Sequence, residues 1–189
     1  MDEAHGTGVF GPDGRGAASA LGVADRVPIR VGTLSKALGS IGGFVAGSQK
    51  LVDHLWNHAP TGIYSTALPP AAAAAAREAL RIVEEETWRR DHVHQLAGDL
   101  RNALRSVGGE VPPSEGPIVP LILGEVDRAL EAASVLASEG FLVPAIRPPT
   151  VPRGTARLRI SVSAIHEQAD LERLVEVLSK LMRSGQGIS

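Results

Sequence analysis

Cysteine is absent from the 189 residues. Disulfides are therefore excluded, and a reducing compartment is permitted. Aromatic residues are 3% of the chain, so any core must be built from Ala, Val, Leu and Ile. No excess of either charge exists: the formal net charge is −2 and the pI about 6.3. Arg and Lys are scattered, which argues against nucleic acid or an anionic membrane as partner. No apolar run is long enough to span a bilayer. The first residues are charged, with no apolar stretch behind Met1, so no signal peptide is expected, and the expected location is the cytoplasm. His54, His58, His92 and His94 show no metal-ligand spacing, and no metal is expected. No internal repeat is visible.

What is present is ample apolar material, 43% of residues, enough for one domain or two small ones. Residues 6–26, rich in Gly, Ala and Asp, read as a loop and a short helical piece. Arg15, between glycines, reads as a loop residue in a structural salt bridge. Gln49 to Asn57 reads as a helix with Leu51, Val52, Leu55 and Trp56 on one face. Tyr64 to Pro70 is a turn signal, with Pro70 near the first position of a long helix. The alanine run from Ala71 to Ala76 opens that helix, and helix propensity explains it. Charge becomes dense and the apolar pattern restarts near residues 88 to 95, which sets two domains, 1–92 and 93–189. In the second, a helix runs through Leu104 and Ile118 to Leu123 reads as a strand. Asp127 to Ser138 reads as a helix ended by Gly140. Phe141 to Ile146 and Ala156 to Val162 are strands, and Gln168 to Met182 is the last helix. The alternation implies an α/β sandwich. Arg157 and Arg159 alternate with Leu158 and Ile160, share one strand face, and read as structural.

The most informative stretch runs from Gly32 to Gly43. The apolar runs Pro28 to Val31 and Phe44 to Ala46 flank it, both short and read as buried strands. Between them a glycine-rich turn carries Thr33, Ser35 and Lys36. A lysine among small residues at the end of a buried strand is poorly solvated, which lowers its pKa and frees a nucleophilic amine. The hydroxyls and the glycine backbone suit an anion such as a phosphate. An amine beside a phosphate cradle is what a pyridoxal phosphate (PLP) Schiff-base site needs. On this segment alone, a loop with one solvated lysine is the competing reading.

The chain also opens Asp2-Glu3-Ala4-His5-Gly6-Thr7-Gly8. Those four letters, Asp to His, spell a helicase metal-binding box, but that activity needs a Gly-x-x-x-x-Gly-Lys-Ser/Thr phosphate loop, and the chain has none. Together with Thr33 to Gly39 and the run Ile146-Arg147-Pro148-Pro149-Thr150-Val151-Pro152, the opening resembles the α-oxoamine synthase family of PLP enzymes over nearly the whole chain. Within the family, the Arg-Pro-Pro-Thr-Val-Pro run looks most like the members that form 8-amino-7-oxononanoate in biotin synthesis. The resemblance implies an α/β fold, the PLP-dependent transferase fold type I (aspartate aminotransferase-like). This chain would hold the second half of the large domain plus the C-terminal small domain, and so looks like a C-terminal fragment.

The resemblance also implies roles. Asp2 would face the pyridinium nitrogen of pyridoxal 5'-phosphate, where a carboxylate keeps the ring an electron acceptor; its competing reading is a capping or surface aspartate. His5 would hydrogen-bond the cofactor's phenolic oxygen, against a structural histidine. Lys36 would hold the cofactor covalently and move the substrate's Cα proton. Thr33 would bind the cofactor phosphate. Ser65 and Thr66 would reach the phosphate of a neighbouring subunit in a homodimer with shared active sites; helix capping ahead of Pro69-Pro70 explains them equally well. Arg147 would clamp the amino-acid carboxylate as a bidentate fork, with Thr150 beside the substrate. The implied reaction condenses alanine with pimeloyl-CoA or a pimeloyl carrier protein. The alternatives are a sibling enzyme using glycine with another acyl-CoA, and an inactive fragment.

Overall fold

The computed structural model describes residues 1–184, which divide into two compact units, Met1–Arg90 and a second that starts at Asp91. In the first, the opening residues lie in extended backbone. Asp2 forms a parallel bridge to Val31, with Val31 N–H donating to Met1 O at 2.9 Å and Glu3 N–H to Val31 O at 2.7 Å. Helix α1 (Ala17–Ala20) and a single 3-10 turn, Ala24–Arg26, lead to strand β1 (Arg30–Thr33). β1 pairs antiparallel with β2 (Gly43–Ala46) in the register Arg30 with Ala46 through Thr33 with Gly43. Gly32 lies under the Phe44 ring: a Cβ there would fall 2.3 Å from Cζ. Helices α2 (Gln49–His58), α3 (Pro60–Ile63) and α4 (Pro70–Glu85) complete the unit. Pro70 occupies the first turn of α4, where its missing N–H costs nothing.

Two expectations fail in this unit. The strands beside the lysine turn are short and largely exposed rather than buried: Ile29, Val31 and Val45 are 44%, 45% and 43% exposed. On α2, Trp56 is exposed, so the apolar face narrows to Leu51, Val52 and Leu55. What ties the unit together is in part polar. Arg90 is buried and donates through Nη2 to Pro12 O at 2.9 Å and through Nη1 to Val83 O.

The second unit carries a three-stranded antiparallel sheet in the order β3 (Ile118–Gly124), β5 (Ala156–Ser161), β4 (Ala145–Ile146). α5 (Trp88–Ser106), α6 (Val126–Ser138) and α7 (Gln168–Ser184) supply its helices. Inward residues of β3 and β5, namely Val119, Leu121, Leu158 and Ile160, join Leu100, Leu104, Leu136 and Leu178 in one cluster. Arg157 and Arg159 stand on the opposite, half-buried face of β5. Gly140, at φ 87°, follows α6 and allows the chain to turn. The strand expected over Phe141 to Ile146 shrinks to two residues. Pro144 has no N–H to place in a ladder, although its carbonyl accepts from Arg159 N–H at 3.0 Å.

The units differ sharply in core. Among the described apolar residues of the first, only Ala18, Leu38 and Ala76 are buried, whereas the large fully buried leucines all belong to the second. Amide protection follows such burial. The 189-residue chain studied by itself is expected to protect its second unit from hydrogen exchange better than its first. Equal protection of β1 and β5 would contradict this.

Candidate functional site

The site is assembled where two parallel-paired segments end. Residues 1–3 run alongside β1 in the same direction, so both present their C-terminal ends on one side. Crevices beyond the carboxyl ends of parallel strands are where ligands sit in open α/β sheets. From one segment come Asp2 and His5; from the other come Thr33, Ser35 and Lys36. Composition and spacing did not show that the two segments run side by side; the bridge between Asp2 and Val31 brings them together.

The lysine turn is held by its own hydroxyls. Thr33 Oγ1 donates to Gly42 O at 3.0 Å, stands 2.7 Å from Ser35 Oγ and accepts from Ser35 N–H at 3.2 Å. Leu34 N–H donates to Gly42 O at 2.9 Å and Ser40 N–H to Leu34 O at 2.8 Å. Gly39, at φ 59°, and Gly42, at φ 105°, take backbone conformations that favour glycine. Ser40 Oγ ties the turn to the start of α4 by donating to Ala72 O at 2.7 Å, a contact absent from the sequence expectations. Lys36 is exposed, against the expectation of a poorly solvated amine, because the strands that carry it are themselves uncovered.

Asp2 is exposed, and its Oδ1 accepts from Ala4 N–H at 2.7 Å, which fixes the start of the following turn. His5 is exposed. Between them, Glu3 is 2% exposed. Its Oε2 accepts from Ala17 N–H and its Oε1 from Ala18 N–H, both at 2.8 Å. Glu3 was missed from sequence, although a signal existed: in extended backbone adjacent side chains point to opposite sides, so if Asp2 faces a ligand, Glu3 faces inward.

Ser65 and Thr66 lie on an exposed turn after α3. Ser65 Oγ donates to Thr61 O, and no side chain caps the N-terminus of α4, so the capping alternative ahead of Pro69-Pro70 is not what forms. Leu68, further along, packs against Gly42 of the lysine turn. Arg147 and Thr150 belong to the second unit. Both are exposed, on a turn closed by Thr150 N–H donating to Arg147 O at 3.1 Å, with a cis bond between Pro148 and Pro149. Among the described residues no group of three His, Asp or Glu could hold a metal ion, and no helix is long and apolar enough to cross a membrane.

Chemically, the first unit thus offers a primary amine able to condense with a carbonyl, and hydroxyls and a glycine-rich backbone suited to an anion. A carboxylate able to hold a cationic nitrogen and an imidazole stand on the neighbouring segment.

Comparison with known proteins extends this picture. The family model for aminotransferase class I and II matches residues 1–178. The 8-amino-7-oxononanoate synthase of Alkalilimnicola ehrlichii is 48% identical over 183 residues, covering 96% of this chain and 47% of the relative. A solved serine palmitoyltransferase from S. paucimobilis with bound PLP-myriocin aldimine matches with a TM-score of 0.92 at 29% identity, over 99% of this chain and 48% of that one. The 8-amino-7-oxononanoate synthase from Francisella tularensis matches with a TM-score of 0.88 at 28% identity, over 98% of this chain and 55% of that one. The chain spans about half the length of the curated relatives it matches. Its fold is that of the type I PLP-dependent transferases, and with residues 1–178 matched, the chain belongs to the aminotransferase class I and II family.

Proposed function

We propose that this sequence carries the catalytic lysine of a cytoplasmic PLP-dependent acyltransferase. The reaction condenses alanine with a pimeloyl thioester, of CoA or a carrier protein, to give 8-amino-7-oxononanoate, CO2 and the free thiol in biotin synthesis. The observation that supports the reading is the parallel bridge between Asp2 and Val31, which brings the segment carrying Asp2 and His5 alongside the strand that leads into the Thr33–Lys36 turn. The 48% identity to an 8-amino-7-oxononanoate synthase supports the choice of reaction.

The donor set fits pyridoxal 5'-phosphate: an amine for its aldehyde, hydroxyls for its phosphate, a carboxylate for its ring nitrogen and an imidazole for its phenolic oxygen. When bound, this cofactor supplies an electron sink for the carbanion at the Cα of the amino acid. Lys36 would hold it covalently, and would take the Cα proton of alanine and later return one. Asp2 would keep the ring nitrogen protonated. His5 would donate to the phenolic oxygen, and Thr33 would bind the phosphate. Ser65 and Thr66 serve the phosphate site of a second subunit in a homodimer. Arg147 grips the alanine carboxylate as a fork and Thr150 contacts the substrate. A bond forms between Cα and the acyl carbon, the C–S bond breaks, and the carboxylate departs as CO2.

One observation favours a second reading, that the 189 residues alone are inactive: Lys36 and its flanking strands are exposed, and proton transfer at Cα is best shielded from water. The proposal is tested on the protein that carries this sequence with the remaining length of its relatives. Alanine should perturb the visible absorbance of the PLP-loaded protein at lower concentration than glycine. A preference for glycine would replace the reading by that of a sibling synthase.

A further inference from the structure

Glu3 is the one acidic side chain of the first unit that is buried, and no role in the proposed reaction uses it. Each of its polar groups is engaged. The backbone N–H donates to Val31 O of β1 at 2.7 Å, and the backbone carbonyl accepts from the N–H groups of Gly6 and Thr7, both at 2.9 Å. Thr7 Oγ1 donates to the same carbonyl at 3.1 Å. The carboxylate takes the amides of Ala17 and Ala18. Space around it is closed: a Cβ on Gly6 would fall 2.0 Å from Oε2, and one on Gly16 2.4 Å from the same atom. Both neighbouring positions must therefore be glycine for the carboxylate to sit where it does. A buried carboxylate without donors would be costly, and one with two amides is fixed in place.

From this geometry we infer that Glu3 is a positioning residue. It anchors the segment between Asp2 and His5 simultaneously to β1 and to the start of α1, and so sets where Asp2 and His5 stand relative to the Thr33–Lys36 turn. The inference rests on the proposed reading that Asp2 and His5 face the cofactor. The Glu3 carboxylate is taken up by the amides of Ala17 and Ala18, so it acts through the flanking Asp2 and His5.

Two variants test it in the full protein carrying this sequence. Glu3→Gln keeps the shape but turns a donor toward one of the two amides. Gly6→Ala keeps the carboxylate but forces it off Oε2's position. The first readout is hydrogen exchange at the amides of Ala17 and Ala18, without cofactor. The second is PLP affinity, and the third is the visible circular dichroism of bound PLP, a flat molecule whose signal comes from the asymmetry of its setting. Both variants should speed exchange at Ala17 and Ala18. Both should weaken PLP roughly tenfold, the scale of one lost hydrogen bond to a charged group, and change the dichroic band, with exchange across β3 and β5 unchanged. Faster exchange with unaltered affinity and dichroism, in whichever variant folds, would overturn the positioning role and leave Glu3 a staple of the fold. A wild-type protein that takes up no PLP would overturn the reading beneath the inference, and the inference with it.

Discussion

Replacing Lys36 by alanine should abolish covalent capture of the cofactor and reduce turnover by at least about a thousandfold, within the range that general acid–base catalysis alone contributes. Two proposed functions would fall together in this variant: the amine that would hold the cofactor, and the base that would take the Cα proton. Borohydride reduction makes the first directly visible, since it fixes PLP to the lysine that carries it, and peptide mapping should place the label on Lys36. The geometry singles it out: the Thr33 hydroxyl network and the Gly39 and Gly42 turns display this side chain at the end of β1. Lys50, the nearest other lysine in sequence, lies on α2. A label that persists in Lys36→Ala would sink the assignment.

The second large effect concerns Arg147. Removing a guanidinium that clamps a carboxylate costs about 1.5–3 kcal/mol, the range for hydrogen bonds to charged groups, or roughly 10- to 150-fold in affinity. Arg147→Ala should therefore weaken alanine by that factor and leave PLP affinity nearly unchanged, because the proposed cofactor contacts all come from the first unit. Arg147→Lys should restore little, since a point charge lacks the fork. Titration of the cofactor's visible absorbance with alanine measures both quantities. An unchanged alanine affinity would mean that the carboxylate is held elsewhere.

How far the sequence could be read depends on whether a feature is local. The start of α4 follows from Pro70 and the course of α2 from its apolar spacing, whereas β1 runs over Arg30–Thr33 rather than the expected Pro28 to Val31, and the Ser48 cap of α2, whose Oγ accepts from Leu51 N–H, went unread. These signals act within a turn or two of chain. The lysine turn was legible for the same reason: its glycines, hydroxyls and amine lie within a dozen residues. Burial was not. An apolar run such as Ile29 to Val31 looks the same whether or not other segments cover it, and here none of the described residues does so fully. Phe141 to Ile146 has a strand's composition, yet Pro144 interrupts its ladder and leaves only Ala145 and Ile146 paired. The buried Arg90 reaches Pro12 across 78 positions, a distance over which no periodicity speaks. Glu3 shows the intermediate case. Its inward direction follows from alternation, but its partners on α1 do not.

The measurement that tests the central claim most directly uses alanine labelled in its carboxyl carbon. The full protein carrying this sequence, loaded with PLP, is incubated with that alanine and pimeloyl-CoA, and the released gas and the product are analysed. The account predicts label in CO2 only when the thioester is present, one free thiol per CO2, and an unlabelled product with the mass of 8-amino-7-oxononanoate. Release of labelled CO2 without thioester, or a condensation product that retains the carboxyl label, would contradict it.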